Sequence, residues 1–447
     1  MRPDEAARWL TAHPEVRTVR VGACDLNGQA RAKRLPSGRA GKCLDEGTRM
    51  PLSVLNVDIR GEDIEDSPLV FESGDRDGIL RPTSRGFVPM PWLAAPSALL
   101  PTWMFREDGA AFEGDPRHAL SFVVDRYAAR GLKPVVATEM EFYLIDDSGD
   151  EPVPPTSPRS GRRRMAGEVL SLRALDAFDA FFTDVYDACE AMGIPADTAI
   201  SESGMGQYEI NLLHRDALGA ADDAWLFKLM LRGVARSHGF AASFMAKPYP
   251  DHAGNGMHVH FSVLDDEGGN VFYDGGPGGT DILHHAVAGC IGAMPASALV
   301  LAPHGGSYDR FAPGAHAPTG IGWAYENRTA AIRIPAGPPA ARRIEHRVAG
   351  GDVNPYLLIA VILGAALSGI EDGAAPPPPI IGNAYEADLP RLPVTWSDAI
   401  AAFDSPQMRR ILPAELIRNY LMTKRQELDI WEGMAAEERR DLYLDTV

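Results

Sequence analysis

The octapeptide Ala137-Thr138-Glu139-Met140-Glu141-Phe142-Tyr143-Leu144 constrains the chain more than any other stretch. Its apolar and aromatic residues read as an interior strand, yet two carboxylates stand at i and i+2, so both point to one face. Like charges side by side on a half-buried surface repel each other and lose hydration. A fold containing this strand must place positive charge between or beside them.

The remaining sequence suggests a soluble protein with room for two domains. It has 447 residues, 45% hydrophobic and 23% charged, and a formal net charge of −18. That charge argues against a nucleic-acid or anionic-membrane partner, which needs a basic surface. The four cysteines, Cys24, Cys43, Cys189 and Cys290, are widely spaced without a CxxC. This excludes a disulfide scaffold or a cysteine zinc site and fits a reducing cytosol. The opening MRPDEAARWL carries acids where a secretory segment needs apolar residues, so no signal peptide is expected. The apolar run Tyr356 to Ile370 falls short of the roughly 20 residues of a spanning helix. Asn354-Pro355 ahead of it reads as the N-cap and first residue of a buried helix. A cytoplasmic location is expected.

Residues Val16 to Leu35 alternate as two strands around the Asn27-Gly28 turn. Strands are also expected at Leu52–Ile59 and Leu69–Phe71, followed by short proline-punctuated segments to Trp103. This predicts a small β-rich domain over residues 1–108. Over 109–447 the spacing predicts helices from Pro116 to Ala129, Leu172 to Met192, Asp222 to His238, 281 to 299 and 355 to 371. It predicts strands at Pro134–Ile145, around Ile200–Leu213, and at Ala242–Ala246, Gly256–Leu264 and Ala330–Pro335. The polar Asp146–Met165 is a surface loop, and the Gly-rich stretch 267–280 is a hairpin-like excursion.

Three further stretches resemble the opening one. ISESGMGQYEINL sets Glu202 and Glu209 about a Gly-Met-Gly turn, GNGMHVHFSV puts His258 and His260 on one strand face, and PPAARRIEHRV sets Glu345 among Arg342, Arg343 and Arg347. Singly, each has a bland alternative as a solvated strand face or edge decoration. Together, five glutamates and a histidine form an oxygen-rich set suited to Mg²⁺ or Mn²⁺ rather than zinc. Phosphoryl transfer uses such cations, with arginines as a second positive source; Arg310, Arg328, Arg333, Arg343 and Arg347 are available. No P-loop or dinucleotide-binding glycine pattern occurs.

The order DLNGQAR, EMEF, SESGMGQYEIN, FMAKP, GMHVH, SYDRFAPG, ENRTAAIRIP, RRIEHR, NPYL resembles the glutamine synthetase superfamily along nearly the whole chain. The stretch PTSPRSGRRR brings it nearest the γ-glutamylpolyamine and γ-glutamylmonoamine synthetase branch. The resemblance implies an α+β fold, with a small β-grasp N-terminal domain and a large catalytic domain on a curved antiparallel sheet with flanking helices. It also implies a homo-oligomer, a dodecamer of two stacked hexagons, with active sites between neighbouring subunits. Glutamate, an amine and ATP would be the small-molecule substrates.

By the same resemblance, Glu141, Glu202 and Glu209 match the ligands of one divalent ion, and Glu139, His258 and Glu345 those of the other, nearer the nucleotide phosphates. Arg310 matches the arginine holding the glutamate carboxylate, with Gly254 and Arg347 also on the substrate side. Arg328 and Arg333 match arginines facing the transferred phosphoryl group, and Arg343, His260 and Ser262 fall on the nucleotide side. The implied chemistry phosphorylates the γ-carboxylate of glutamate, and an amine then displaces phosphate to give an amide.

Departures from the family pattern bear on the amine. Glutamine synthetases carry a glutamate in a PG-x-E-AP flap that takes a proton from ammonium; this chain has His316 there, in Pro313-Gly314-Ala315-His316-Ala317-Pro318. The DGSS-like run of the N-terminal domain is missing, its nearest counterpart being Asp58-Ile59-Arg60-Gly61. An asparagine expected ahead of the NG-type glycine is replaced by Ala253. Selecting ammonium, a small cation, needs compact negative charge, which a neutral imidazole does not supply, although it can accept a proton near pH 7. An organic amine is the expected nucleophile. The alternatives are an ammonium-using glutamine synthetase, with His316 merely pointing to solvent, or a non-catalytic structural relative, whose signature would be lost metal ligands. Tyr385, in Asn383-Ala384-Tyr385-Glu386, lies near where some bacterial members carry an adenylylated tyrosine.

Overall fold

The computed structural model describes residues 3–149, 151–311 and 317–447. The chain is an α+β protein built on two sheets. The first carries strands β1 (Thr18–Cys24), β2 (Ala30–Pro36), β3 (Thr48–Pro51), β4 (Asp77–Pro82), β5 (Val88–Pro89) and β6 (Ser97–Phe105). Their order is β2-β1-β6-β4-β3, with β5 also on β6 and the β1/β6 pair parallel. The second carries β7 (Leu132–Ile145), β8 (Ala196–Ser201), β9 (Gln207–Asp216), β10 (Ala241–Ser243), β11 (Met257–Asp265), β12 (Trp323–Tyr325), β13 (Ile332–Ile334) and β14 (Ile344–His346). Its order is β12-β13-β14-β11-β7-β9-β8, with β10 on β7, and it is antiparallel except for β12/β13.

Several expectations are corrected. Leu52–Leu55 and Pro68–Glu72 are short helical turns, not strands. Pro51 and Pro68 lead into them with a fixed φ and no amide to donate to a ladder. The proline-punctuated segment conceals the nine-residue β6. Pro101 is tolerated because it is the last residue paired with β1, and the strand pairs with β4 from Thr102 onward. The helix expected from Leu172 to Met192 breaks into Leu172–Asp176 and Asp179–Met192. At the break, Phe178 turns inward against Tyr208 and Phe240. The helix expected from Asp222 starts at Ala217, capped by Asp216, whose carboxylate accepts from the Gly219 amide.

Strand β7 does what its alternation requires. Val136, Met140, Phe142 and Leu144 enter the main core, while Glu139 and Glu141 face the other way. Helices Pro116–Ala128 and Ala217–Ser237 cover the apolar face, and Pro355–Asp372 packs behind them against Asp281–Leu301. These last two helices are apolar and long enough to cross a bilayer, but they lie largely within the core. They approach so closely that a Cβ on Gly289 would fall 2.1 Å from the Ala365 carbonyl oxygen, and one on Gly369 would fall 2.1 Å from that of His285. Asn354 caps the buried helix by accepting from the Tyr356 and Leu357 amides, and its own amide donates to the Asp25 carbonyl at 2.8 Å. The Asn27-Gly28 hairpin turn is thereby tied to the start of the buried Pro355 helix.

A second tie joins the first sheet to the helix Pro116–Ala128. Asp115 accepts from the Met104 and Arg117 amides, and His118 hydrogen-bonds the Met104 carbonyl at 2.8 Å while stacking on Trp103. Burial pushes the His118 imidazole down to about 4. The folded state holds it neutral while an unfolded chain would bind a proton below about 6.5. Its contribution is therefore full above pH 6.5 and lost as pH falls toward 4, about 3 kcal/mol at roughly 1.4 kcal/mol per unit. His118→Gln should be less stable than wild type at pH 7, with the gap in urea unfolding free energy shrinking toward pH 4. Asp115, pushed up to about 6 by burial, titrates in both proteins and cancels. An equal gap at both pH values would show that His118 does not titrate on unfolding.

Candidate active site

The site is a set of rungs across the exposed face of the second sheet. Glu209 sits directly opposite Glu141 on β7 and opposite Ile200 on β8. One rung along, Glu139 stands between Asn211 on β9 and His258 on β11. On the far side, Glu345 stands between His260 on β11 and Arg333 on β13. Taken together, the three staggered registers lead from Ile200 at one end, through the carboxylates, to Arg333 at the other.

A cavity of about 510 Å³ opens over this face. Of the residues expected from the sequence, Glu139, Glu141, Glu202, Glu209, His258, Gly254, Arg310, Arg328 and Arg347 line it. The others join through bonds. The Glu345 carboxylate is fully buried, meeting Arg333 at 2.9 Å and pairing with Arg347. His260 Nε2 lies 2.8 Å from Glu139, and Arg343 Nε donates to His260 Nδ1 at 3.2 Å. Ser262 is set apart, its hydroxyl donating to the Arg342 carbonyl. His316 lies outside the described residues. Asp58 is fully buried, its carboxylate accepting from the Arg60 and Glu62 amides of its own turn and from Gln426.

Among the described residues, two groups of ligand atoms each lie within 4.8 Å of one another: Glu139, His258 and Glu345, and Glu141, Glu209 and His258. The first matches the set expected for one ion. The second has Glu141 and Glu209 in common with the expected set but brings in His258; Glu202 lies on the same cavity wall, outside this tight group.

The electrostatics show what the cluster lacks. Burial, then the charges of Glu139, Glu141 and Glu202, push Glu209 up to about 10. Burial and Glu141 push Glu202 up to about 7. Burial alone would raise Glu139, but hydrogen bonds from His258 and His260 hold it well below the usual carboxylate range. Glu345 is likewise lowered, with Arg347 and the two histidines outweighing its burial. Asn211 Oδ1 and the Nε atoms of Arg310, Arg333 and Arg347 are buried without a hydrogen-bond partner among the described residues. A carboxylate-rich set with too little positive charge fits hard divalent cations, and unpaired donors beside it fit an anionic ligand.

Some participants were not visible as site residues from sequence. Gly256 donates its amide to Glu141 at 2.7 Å, and a Cβ there would fall 2.8 Å from the Arg310 guanidinium. Gly254, expected on the substrate side, is packed as closely: a Cβ there would meet the Ala246 carbonyl at 2.5 Å. Gln207 donates to the Gly254 carbonyl and to Asn255 and accepts from the Gly204 amide, bracing two loops. Ala253 lines the cavity, its carbonyl accepting from the Tyr143 hydroxyl. Tyr385, Asn211, Val169 and Ile200 complete the walls. Alternation along β9 could have flagged Asn211; Tyr385 and Val169 arrive by tertiary folding.

Comparison with known proteins agrees with this arrangement. Residues 113–443 match the glutamine synthetase catalytic domain. The chain is 38% identical over 445 residues to gamma-glutamylputrescine synthetase PuuA of Escherichia coli (strain K12), covering 97% of this chain and 93% of that protein. It is 29% identical to gamma-glutamylethanolamide synthetase GlnA4 of Streptomyces coelicolor, covering 97% and 94%. It is 32% identical to a glutamine synthetase of Thermus thermophilus, covering 96% of each. Among solved structures, apo GmaS superimposes with a TM-score of 0.83 at 27% identity, covering 98% of each chain. With the family's catalytic domain matched over residues 113–443 and relatives aligned nearly end to end, this chain belongs to the glutamine synthetase family.

Proposed function

We propose that the protein is an ATP-dependent ligase that joins the γ-carboxylate of glutamate to an organic amine through γ-glutamyl phosphate. The observation that carries this reading is the placing of Glu139, Glu141, Glu209, His258 and Glu345 on one sheet face beside Arg310, Arg333 and Arg347. Likeness to proteins named for putrescine and ethanolamine products supports an organic amine.

Glu139, His258 and Glu345 would hold one Mg²⁺ or Mn²⁺, and Glu141, Glu209 and Glu202 another; bound there, the ions supply positive charge to phosphate oxygens. Arg310, fully enclosed and braced on the Val348 carbonyl at 2.5 Å, would hold the amino acid carboxylate, with Arg347 beside it. Arg328 and Arg333 would face the phosphoryl group in transfer, and Arg343 and His260 the nucleotide. Glutamate oxygen attacks the terminal phosphorus of ATP, releasing ADP and leaving a mixed anhydride. The amine nitrogen then bonds to that carbonyl carbon, phosphate departs, and the amine's proton passes to a base, for which His316 is proposed. Preorganised arginines favour these steps by offsetting developing charge, and water must be kept from the acyl phosphate, which it would hydrolyse.

We assign residues 1–108 to a β-grasp domain and 109–447 to the catalytic domain, a division supported by the start of the family match at residue 113. A cytoplasmic dodecamer is proposed from family resemblance. Use of ammonium is the second reading, favoured by the likeness to the Thermus thermophilus glutamine synthetase.

The test is ATP-dependent phosphate release with glutamate and Mg²⁺ against ammonium, ethanolamine, putrescine, cadaverine, spermidine and isopropylamine, with products identified by mass. At least one organic amine should give a γ-glutamyl amide with kcat/KM ten or more times that for ammonium; the reverse order would make the protein a glutamine synthetase. His316→Glu should raise kcat/KM for ammonium severalfold, because a carboxylate supplies the compact negative charge ammonium needs. Unchanged ammonium kinetics in that variant would remove His316 from amine selection.

A further inference from the structure

Ten large hydrophobic or aromatic side chains are exposed among the described residues, and four of them, Met165, Val169, Leu170 and Leu172, crowd into the stretch 165–172. Exposed apolar side chains gathered at one place mark a contact surface. Of the four, Val169 lines the acid-lined cavity, where it and Ile200 are wall residues beside Glu202, while Leu172 lines a separate cavity among arginines.

The stretch is held firmly. The Leu170 amide donates to the Ser201 carbonyl at 2.8 Å, the Ser171 amide donates to Ser201 Oγ at 2.7 Å, and Ser201 Oγ donates to the Glu168 carbonyl at 2.7 Å. A Cβ on Gly167 would fall 1.9 Å from the Ser203 carbonyl, so only glycine allows the chain this close to the turn after β8. Leu170 is held at φ +53, a left-handed conformation that a leucine keeps only where its surroundings impose it. The sheet rungs add direction. Ile200 occupies the end of the Ile200–Glu209–Glu141 row, away from the arginines around Glu345. Phosphate belongs at the arginine end. The other end sets the apolar Val169 and Ile200 beside Glu202, in a cavity that Arg328 also lines, and so offers an apolar surface to a hydrocarbon chain.

We propose that Val169 and Ile200 form the receiving surface for the carbon chain of the amine, so that the enzyme selects aliphatic primary amines by chain length. This rests on the amine-ligase reading above. The nitrogen would point into the cavity while the methylenes leave water against Val169 and Ile200, each adding to binding in proportion to the apolar area it buries.

The experiment compares kcat/KM for methylamine, ethylamine, propylamine and butylamine in wild type, Val169→Thr and Val169→Asp. Val169→Thr keeps the branched shape and replaces a methyl with a hydroxyl. The readout is a ratio within each enzyme, so loss of folded protein cancels. Wild type should gain about 3- to 4-fold per added methylene, and Val169→Thr should reduce this to about 2-fold or less. Val169→Asp should raise the preference for 1,4-diaminobutane over butylamine at least 10-fold, by offering a carboxylate to the distal ammonium. Wild-type slopes and ratios in both variants would overturn the proposal. So would unchanged ratios together with a smaller assembly mass for Val169→Asp, which would assign the patch to contact with a second copy of the chain. If wild type forms no γ-glutamyl amide from any amine, the ligase reading fails and the proposal with it. Amide formation with chain-length slopes indifferent to Val169 fails the proposal alone.

Discussion

Carboxylate crowding governs this structure. Glu139, Glu141, Glu209 and Glu345 stand on strands β7, β9 and β14 of one sheet, and Glu202 joins them from the end of β8. Buried like charges are costly unless something positive is supplied. The protein meets part of that need itself: two histidines hold Glu139, and Arg333 and Arg347 hold Glu345. Among the described residues Glu209 has no such partner, and burial and the neighbouring carboxylates push it far up. The arrangement is stable in use only when cations or a ligand supply the missing positive charge, so the demand of the fold and the demand of phosphoryl transfer coincide.

The rest of the chain keeps that face in place. The apolar side of β7 is sealed by helices from Pro116 and Ala217, and the Pro355 helix stiffens them from behind. The same Pro355 helix accepts the hairpin turn of the first sheet through Asn354, while Asp115 and His118 clamp β6 to the start of the Pro116 helix. Glycines at 254 and 256 let the loop before β11 lie against Arg310. A side chain at either position would displace the guanidinium from the wall it forms with Glu141.

Much of this was legible in sequence because it follows from local rules. Alternation places Glu139 and Glu141 on one face, and His258 and His260 on another strand's matching face. The Asn354-Pro355 cap and the Asn-Gly turn also appear where their chemistry requires them. What stayed hidden depends on tertiary packing. Pro101 disguises β6 because only the change of pairing partner explains how a central strand tolerates it. Leu52–Leu55 has the composition of a strand but turns helically after Pro51. Tyr385 and Val169 reach the cavity from distant loops, and Gly256 contributes through its backbone amide, which leaves no side-chain signature.

The most direct measurement is the number of Mn²⁺ ions bound per chain, followed by electron paramagnetic resonance in wild type, Glu345→Gln and Glu209→Gln. If the face is built for a pair of cations, wild type binds two. Each variant then weakens one site by roughly 10- to 100-fold, the scale of lost metal-site contacts, and largely spares the other. Fewer than one ion per chain in wild type, or identical loss of both ions in the two variants, would contradict the claim that two separable cation sites answer the crowded carboxylates.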